Sequence, residues 1–299
     1  MAEAASITSR KQSVGVMSSI VYIRKRLPDF AAWLATIIIL LILLFPFLWM
    51  LSSSLRPINK LFRYPPEWLP IPLTFENFQW ALSRSSFWVT LQNSTILAIS
   101  AALITLVVCL LPAYSLARLK YPGKKAIMIF IMATQMLPIV LLLIPLFYIM
   151  AKLQLLNTKA SLLLVYVNHS IPFSVLMLRS YFVNLNPELE EAALVDGCTK
   201  FGALRHVTLP LSLPGLVSVA LFVIVVVWND IFYSLVLTNN VQARTVSVQL
   251  YMEATTDFAA TNWGGILAES VMITLPVTIL FMFLQKYFIQ GLTSGAVKG

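Results

Sequence analysis

The sequence predicts an all-α integral membrane protein with six transmembrane helices. Of its 299 residues, 59% are hydrophobic and only 11% are charged, whereas soluble domains average about 45–50% apolar and about 25% charged residues. The mean hydropathy of +0.84 excludes both an ordinary soluble globule and a disordered chain. Long apolar stretches recur along the sequence, and they are continuous rather than alternating, as expected of helices and not of a membrane barrel.

Each transmembrane helix is predicted from a stretch without Lys, Arg, Asp or Glu. Crossing about 30 Å of hydrocarbon takes roughly 20 helical residues. Five such stretches cover residues 30–55, 85–117, 126–151, 160–178 and 207–229. A sixth stretch, 270–285, is short and has to extend back to Gly264, which places Glu269 near a membrane face. No small-residue cleavage site follows the first stretch, so we interpret it as a retained span rather than a signal peptide.

The spans divide the chain into four regions. These are a cytoplasmic N-terminal arm (1–29), the first transmembrane helix with an outer loop (30–87), a core of five transmembrane helices (88–287) and a cytoplasmic C-terminal tail (288–299). In the first outer loop, Thr74 can cap a short helix. Phe75, Phe78 and Leu82 would share the apolar face of that helix.

The distribution of basic residues predicts the orientation. With both termini in the cytoplasm, two-thirds of the 21 Lys and Arg residues fall on the cytoplasmic side, as the positive-inside rule requires. The same orientation places Trp49, Trp88, Trp228 and Trp263 near the outer membrane face, where tryptophan is enriched. The net charge of +9 is therefore interpreted as loop orientation, and no nucleic-acid partner is expected.

Motifs for enzymatic chemistry are missing from the sequence. There is no GxxxxGK[ST], HExxH or GxSxG, so we expect no catalytic residue, no cofactor and no metal site. Cys109 and Cys198 are far apart and form neither a disulfide framework nor a metal-ligand spacing. The spans lack the buried carboxylates by which ion-coupled carriers bind their ions. We interpret His169 as a packed, hydrogen-bonded residue rather than a proton relay.

The loop at 186–210, between the fourth and fifth spans, carries the most specific pattern. Asn186 is a suitable N-cap and Gly197 a suitable C-terminal stop, which predicts a helix of about ten residues between them. Thr199 can cap a second short helix, and Leu209-Pro210 marks the entry to the next span. Composition alone leaves two interpretations open: the loop docks another protein, or it folds against its own membrane domain.

The spacing in this loop resembles that of a known family. Glu191-Ala-Ala-x3-Gly197-x9-Val207-x-Leu-Pro210 is similar to the EAA loop of ABC-importer permeases, with Val207 in place of Ile as the departure. Three shorter strings resemble the smaller permease subunit of maltose-type sugar importers. They are Gln92-Asn93-Ser94, Trp228-Asn229-Asp230 and the segment from Gly291 to Gly299.

The resemblance implies a type I ABC-importer permease fold in the plasma (inner) membrane of a prokaryote. It implies four kinds of partner in addition to the lipid bilayer: a sister permease subunit, two ABC ATPase subunits, an extracytoplasmic solute-binding protein and a sugar-like solute. ATP hydrolysis would reside in the ATPase subunits, so the chain would not be an enzyme. The region 88–287 would be the permease core, and 186–210 its coupling loop.

Two groups of residues would carry the docking of partners according to the resemblance. The ATPase subunits would dock on Glu191, Ala192, Ala193, Asp196, Gly197, Leu209 and Pro210. The binding protein would dock on Asn239, Asn240 and Arg244 in the outer loop 237–262. The segment 291–299 would lie between the ATPase subunits.

Three alternatives remain open at this stage. An ABC permease for a non-sugar solute would share the coupling loop. A secondary carrier would transport solute without ATPase subunits. A membrane scaffold would show no polar cavity between its spans.

Overall fold

The computed structural model describes residues 32–256 and 261–296, and the side chains of these ranges except 256 and 288–296. Within these ranges the secondary structure is entirely helical, as predicted. The helices are α1 (Ala32–Ser54), α2 (Ile58–Leu61), α3 (Glu76–Ser83), α4 (Ser85–Arg118), α5 (Lys124–Thr134), α6 (Ile139–Lys152), α7 (Lys159–Asn184), α8 (Glu188–Val195), α9 (Lys200–Ala203), α10 (Leu209–Leu211), α11 (Leu213–Trp228), α12 (Phe232–Leu237), α13 (Val246–Thr256) and α14 (Trp263–Ala296). A π-helical turn, Leu204–Thr208, joins α9 to α10.

Four described helices, α1, α4, α7 and α14, are each long and apolar enough to cross a membrane. The number rises to six if each of two bent helix pairs forms one span. The first pair is α5 with α6, and the second is Lys200–Leu211 with α11. The first pair coincides with the predicted span 126–151, whereas the second overlaps the predicted span 207–229 mainly through α11.

The third predicted span, 126–151, is interrupted in its middle. α5 ends at Thr134 and α6 begins at Ile139, and the two axes differ by 94°. Pro138 stands at the break in an extended conformation. Proline has no N–H group and disfavours the helical conformation of the preceding residue, so a continuous helix would lose a hydrogen bond here. The stretch predicted as one span is therefore divided at this proline into two helices.

The fifth predicted span, 207–229, begins later than the sequence indicates. Leu209 and Pro210, interpreted as the entry to the span, lie in α10 before a bend of 72°. α11 begins only at Leu213, and Pro214 occupies its first turn, where a missing N–H group costs no helical hydrogen bond. Entry to the apolar helix therefore follows Ser212.

The core lies between α4, α7, α11 and α14. α4 packs along α7 and α11, and α14 packs on α11. Small side chains on α4, including Ala98, Ala101 and Ala113, are buried in this contact and permit a close approach of the helix axes. None of the apolar window of α1 is buried. α1 therefore lies at the periphery of the four-helix core.

The short outer helix α3 buries a different face from the one predicted. The hydroxyl of Thr74 accepts the N–H of Glu76 at 3.2 Å, consistent with its predicted capping role. Phe75 and Leu82 are exposed, however, whereas Asn77 is buried. The Asn77 amide donates to the Ser54 carbonyl and to a second carbonyl just beyond the end of α1, each at 2.8 Å. These carbonyls need donors, so the buried face of α3 is the one that carries Asn77 and, one turn later, Ala81.

The last helix is longer than predicted. α14 runs from Trp263 to Ala296 and therefore passes residue 288, at which the sequence predicts the start of a tail. The extension back to Gly264 is confirmed, and Glu269 lies within the helix with 2% of its surface exposed. The predicted N-terminal arm, 1–29, lies outside the described residues.

Candidate docking sites at the two ends of the core

The predicted coupling helix is present as α8. The side-chain oxygen of Asn186 accepts the N–H of Glu188 at 3.1 Å. At the other end, Gly197 adopts φ +88°. The N–H of Gly197 donates to Leu194 O at 3.1 Å, and that of Cys198 donates to Ala193 O at 2.9 Å. This pair of bonds is a Schellman motif, so the helix stops where the sequence predicts.

A second helical segment follows directly. The Thr199 hydroxyl accepts the N–H of Gly202 at 3.1 Å, which confirms the predicted cap of α9. The chain then passes through the π-helical turn to Leu209 and Pro210. α8 contacts both α9 and this turn. The motif between Glu191 and Pro210 therefore folds as a compact pair of short helices.

Glu190 attaches this helix pair to the core. Its carboxylate accepts hydrogen bonds from Tyr114 Oη at 3.2 Å, from Arg118 Nε at 3.2 Å and from Thr208 Oγ1 at 2.5 Å. The Arg118 guanidinium also donates to Leu185 O at 3.0 Å. One carboxylate thus joins the end of α4, the coupling helix and the π-helical turn.

Sequence reasoning missed the role of Glu190. Tyr114 and Arg118 stand four positions apart on α4, which places them on one face of the helix. That spacing is a usable signal for a shared partner. Glu190, which accepts from both, lies 76 residues after Tyr114 and 72 residues after Arg118. The sequence does not single it out, because three glutamates stand in the first turn of α8.

The coupling loop also presents a surface to the exterior of the domain. Among the residues assigned to ATPase docking, Ala193 is buried, Leu209 is partly buried, and Glu191, Ala192, Asp196, Gly197 and Pro210 are exposed. Apolar side chains beside them are exposed too: Leu189, Leu194, Val195 and Phe201. An exposed apolar patch indicates an interaction site. The loop is thus anchored on its own domain and also presents an exposed, partly apolar surface, which keeps both interpretations of its composition open.

The outer loop lies at the opposite end of α4. The Asn93 amide, 1% exposed, donates to the carbonyls of Val241, Gln242 and Arg244 at 2.9–3.1 Å. The hydroxyl of Ser94 accepts the N–H of Val246 at 2.9 Å. Two neighbouring side chains of one transmembrane helix therefore hold the loop against the core.

The three residues predicted to dock the binding protein have different environments. Asn239 is exposed, and its backbone N–H donates to the Asn157 side chain at 2.6 Å. Asn240 and Arg244 are partly buried. The Asn240 side chain accepts the N–H of Ala243 at 3.0 Å, and the Arg244 guanidinium donates to Gln249 Oε1 at 3.0 Å. Asn240 and Arg244 therefore stabilise the loop itself, whereas the side chain of Asn239 is presented outward.

A charged cluster next to this loop joins three helices. The Arg84 guanidinium binds the Glu253 carboxylate through two hydrogen bonds of 2.5 and 2.6 Å. Glu269 lies 3.7 Å from Arg84, and Gln249 donates to Glu253 at 2.6 Å. The cluster connects the start of α4 with α13 and α14. It was missed in the sequence because Arg84 and Glu253 are 169 residues apart.

A second buried network surrounds Asp230. Its carboxylate accepts from Tyr166 Oη at 2.8 Å and from the backbone N–H groups of Tyr233 and Ser234 at 3.2 and 3.1 Å. Burial raises the pKa of Asp230, and these hydrogen bonds oppose the rise. The Tyr233 hydroxyl lies 3.3 Å from His169 Nδ1. His169 is thus hydrogen-bonded and packed, as interpreted from the sequence.

Metal ligation finds no support in the part of the chain that the structure describes. No group of three or more His, Cys, Asp or Glu side chains lies close enough there to hold an ion.

We expect replacement of Asn93 by leucine to destabilise the folded protein. The buried Asn93 amide would be lost and three partly buried carbonyls would lose their donor, and an unsatisfied buried polar group costs about 1–3 kcal/mol. A loss of this size lowers Tm by at least about 2 °C in a chain of this length. Thermal unfolding in detergent measures the effect. The neighbouring Gln92→Leu is the matched control, because Gln92 is exposed. Equal Tm values for the two variants would contradict the anchoring role.

Comparison with known proteins gives a match over most of the chain. A family model described as "Binding-protein-dependent transport system inner membrane component" matches residues 110–294. The chain is 35% identical over 257 residues to the diacetylchitobiose uptake system permease protein of Streptomyces coelicolor, covering 86% of this chain and 92% of that protein. It is 36% identical over 277 residues to the trehalose/maltose transport system permease protein of Thermococcus litoralis, covering 89% and 95%.

The fold has a counterpart among solved structures. It is similar to a chain of a bacterial ABC transporter involved in the import of the acidic polysaccharide alginate, with a TM-score of 0.77 and 23% identity. The match covers 88% of this chain and 97% of that chain. This chain and that chain therefore share the same arrangement of helices.

Proposed function

This chain belongs to the family of binding-protein-dependent transport system inner membrane components, and we propose that it is a permease subunit of a sugar importer. Identity of at least 35% over 86–89% of the chain to two permease proteins named for uptake of disaccharides carries this proposal. The sugar reaches the permease from an external binding protein. Transport is driven by ATP hydrolysis in partner subunits and proceeds by alternating access.

The proposed topology has six spans and two cytoplasmic termini. Each of the two bent helix pairs crosses the membrane once, and the distribution of Lys and Arg sets the orientation. The coupling loop contacts the end of α4 through Arg118, whereas the outer loop contacts its beginning through Asn93. A span that carries the two loops at opposite ends supports this topology.

The proposed assembly contains a sister permease, two ATPase subunits and the binding protein. The ATPase subunits dock on the exposed face of the coupling loop, with Glu191, Ala192, Asp196 and Gly197 at the surface. Ala193 lies beneath this face and sets the close packing of α8 on the domain. Leu209 and Pro210 end the loop before the bend. The binding protein docks on the outer loop at Asn239, with Asn240 and Arg244 holding the loop in shape.

Reconstitution in proteoliposomes tests the proposed function. We expect uptake of trehalose, maltose or diacetylchitobiose by the complete complex with ATP inside and binding protein outside. Omission of the ATPase subunits, the sister permease or the binding protein should abolish it. Uptake by this chain alone would establish a secondary carrier instead, and uptake of none of the three sugars by the complete complex would contradict the proposal.

Asn239→Trp tests the docking of the binding protein. Because the Asn239 side chain is exposed and its hydrogen bond uses the backbone N–H, the substitution leaves the loop intact and adds bulk outside. We expect a several-fold weaker stimulation of ATP hydrolysis by the binding protein, with unchanged unstimulated hydrolysis. Gln79→Trp on the exposed surface of α3 is the control. Deleting 239–245 would be a poor test, because it removes the partners of Asn93. Unchanged stimulation in Asn239→Trp would contradict the docking site.

A further inference from the structure

A cavity opens beside the break between α5 and α6. Its volume is about 540 Å³, and its polar walls are Thr134, Gln135, Asn168, His169 and Tyr233. Ligand pockets typically measure about 300–1,000 Å³. A backbone that leaves the helical conformation within a membrane is tolerated where it lines a cavity or is covered by protein. The break between Gln135 and Pro138 lies at such a cavity, so its non-helical backbone is tolerated there.

A second cavity of about 410 Å³ adjoins the first. The two share Ile139, His169 and Tyr233, and the walls of the second also include Asn229 and Tyr251 next to the outer loop. His169 lies ten positions into α7, roughly 15 Å along the helix axis at 1.5 Å per residue. The two cavities therefore lie side by side between the outer loop and the middle of the span.

The walls of the first cavity carry polar groups that are not used by the fold. Asn168 and Gln135 are exposed, and neither side chain has a hydrogen bond within the described ranges, whereas Asn93 and Asn77 use theirs for loop and helix contacts. An amide offers both donors and acceptors. The sugar hydroxyl group, which also donates and accepts, is the complement of such a side chain.

Tyr233 forms a fixed part of the cavity wall, with 3% of its surface exposed and its hydroxyl 3.3 Å from His169 Nδ1. Its ring packs edge-to-face against Tyr166 at 6.2 Å and against His169 at 5.6 Å between centroids. Its backbone N–H is held by Asp230. The side chain is therefore positioned by its neighbours rather than free to reorient.

The charge of the walls restricts the class of solute. No Lys or Arg is among the described side chains that line either cavity. The one carboxylate there, Asp230, has its oxygens occupied by Tyr166 and two backbone N–H groups. An acidic sugar would find no cation to compensate its charge, and an isolated charge in this environment is costly.

We propose that this chain contacts the transported solute directly in this cavity, through Gln135 and Asn168, and that the solute is an uncharged sugar. The inference rests on the proposed function and extends it, because it assigns a solute-binding subsite to this subunit. In the proposed assembly the sister permease would complete the site.

Transport per ATP hydrolysed in the complete complex tests this subsite. The probe is whichever of trehalose, maltose and diacetylchitobiose the wild-type complex takes up fastest. We expect Asn168→Leu and Gln135→Leu to lower the sugar transported per ATP at least fivefold, with hydrolysis stimulated by the binding protein within twofold of wild type. Gln285→Leu is the matched control, because Gln285 bonds only its own helix at Met282. A purely structural role would lower transport and hydrolysis together.

Thiol protection gives a second measurement. In an Asn168→Cys, Cys198→Ser complex, the same uncharged sugar should slow maleimide labelling at position 168, and an alginate trisaccharide should not. Three results would each overturn the subsite. The first is wild-type transport per ATP in both leucine variants, the second is labelling that the uncharged sugar does not slow, and the third is protection by the alginate trisaccharide alone. If the wild-type complex takes up none of the three sugars, the proposed function is wrong. If the complex transports a sugar but the leucine variants behave like wild type, only the proposed subsite is wrong.

Discussion

Replacing Gly197 with valine is expected to remove the ATPase subunits from the purified complex. Gly197 ends the coupling helix at φ +88°, and a residue with a Cβ in the left-handed region meets a penalty of roughly 1–2 kcal/mol. This penalty reduces the population of the native helix end about 5- to 30-fold. A Cβ on Gly197 would meet nothing within 4 Å in this chain. The added bulk therefore points into open space, where the proposed ATPase subunit would dock.

Two variants separate docking from local strain. Gly197→Asn tolerates the left-handed conformation better and should retain more of the ATPase subunits than Gly197→Val. Gly123 has φ +85°, also with open space around a Cβ, so Gly123→Val imposes the same strain outside the coupling loop and should leave co-purification intact. Normal co-purification and transport with Gly197→Val would contradict the coupling-loop assignment. A loss of membrane-domain stability without selective loss of ATPase would indicate a loop that serves only its own domain.

Replacing Glu190 with alanine is expected to uncouple ATP hydrolysis from transport. The carboxylate joins α4, α8 and the π-helical turn through Tyr114, Arg118 and Thr208. A hydrogen bond to a charged group is worth about 1.5–3 kcal/mol, and both side chains of the ion pair with Arg118 are only 13–14% exposed. Transport should fall roughly 10- to 100-fold, since about 1.4 kcal/mol is tenfold in rate. The measurement is transport per ATP hydrolysed in the reconstituted complex.

Glu191→Ala is the matched control for Glu190→Ala. It removes the same side chain one position further along the helix, where the residue is exposed. An exposed charge contact is worth less than about 1 kcal/mol, so this variant should couple nearly normally. Equal effects of the two substitutions would contradict the assignment of Glu190 as the anchor. A loss of ATPase binding in Glu190→Ala, rather than of coupling, would place the carboxylate in the docking face.

The sequence by itself determined the features that depend on neighbouring residues. Long apolar stretches predicted the helices, because the hydrocarbon of a membrane demands backbone hydrogen bonds within each segment. The ends of the coupling helix followed from Asn186, Gly197 and Thr199, because a cap satisfies backbone groups only one to four residues away. The spacing from Glu191 to Pro210 pointed to the family because these residues form one continuous local structure, so their order along the chain is enough to recognise it.

Only the tertiary structure decided which side chains attach these elements to one another. Glu190 rather than Glu191 holds the coupling helix, and Asn93 holds a loop about 150 residues away. It also decided that Asn77, and not the apolar face beside it, turns inward on α3. In each case the side chain concerned is the one that pairs with a polar group on a distant segment, such as the Arg118 guanidinium or the carbonyls of Val241, Gln242 and Arg244. A buried polar group must find a partner, and the position of that partner is fixed only when the helices pack.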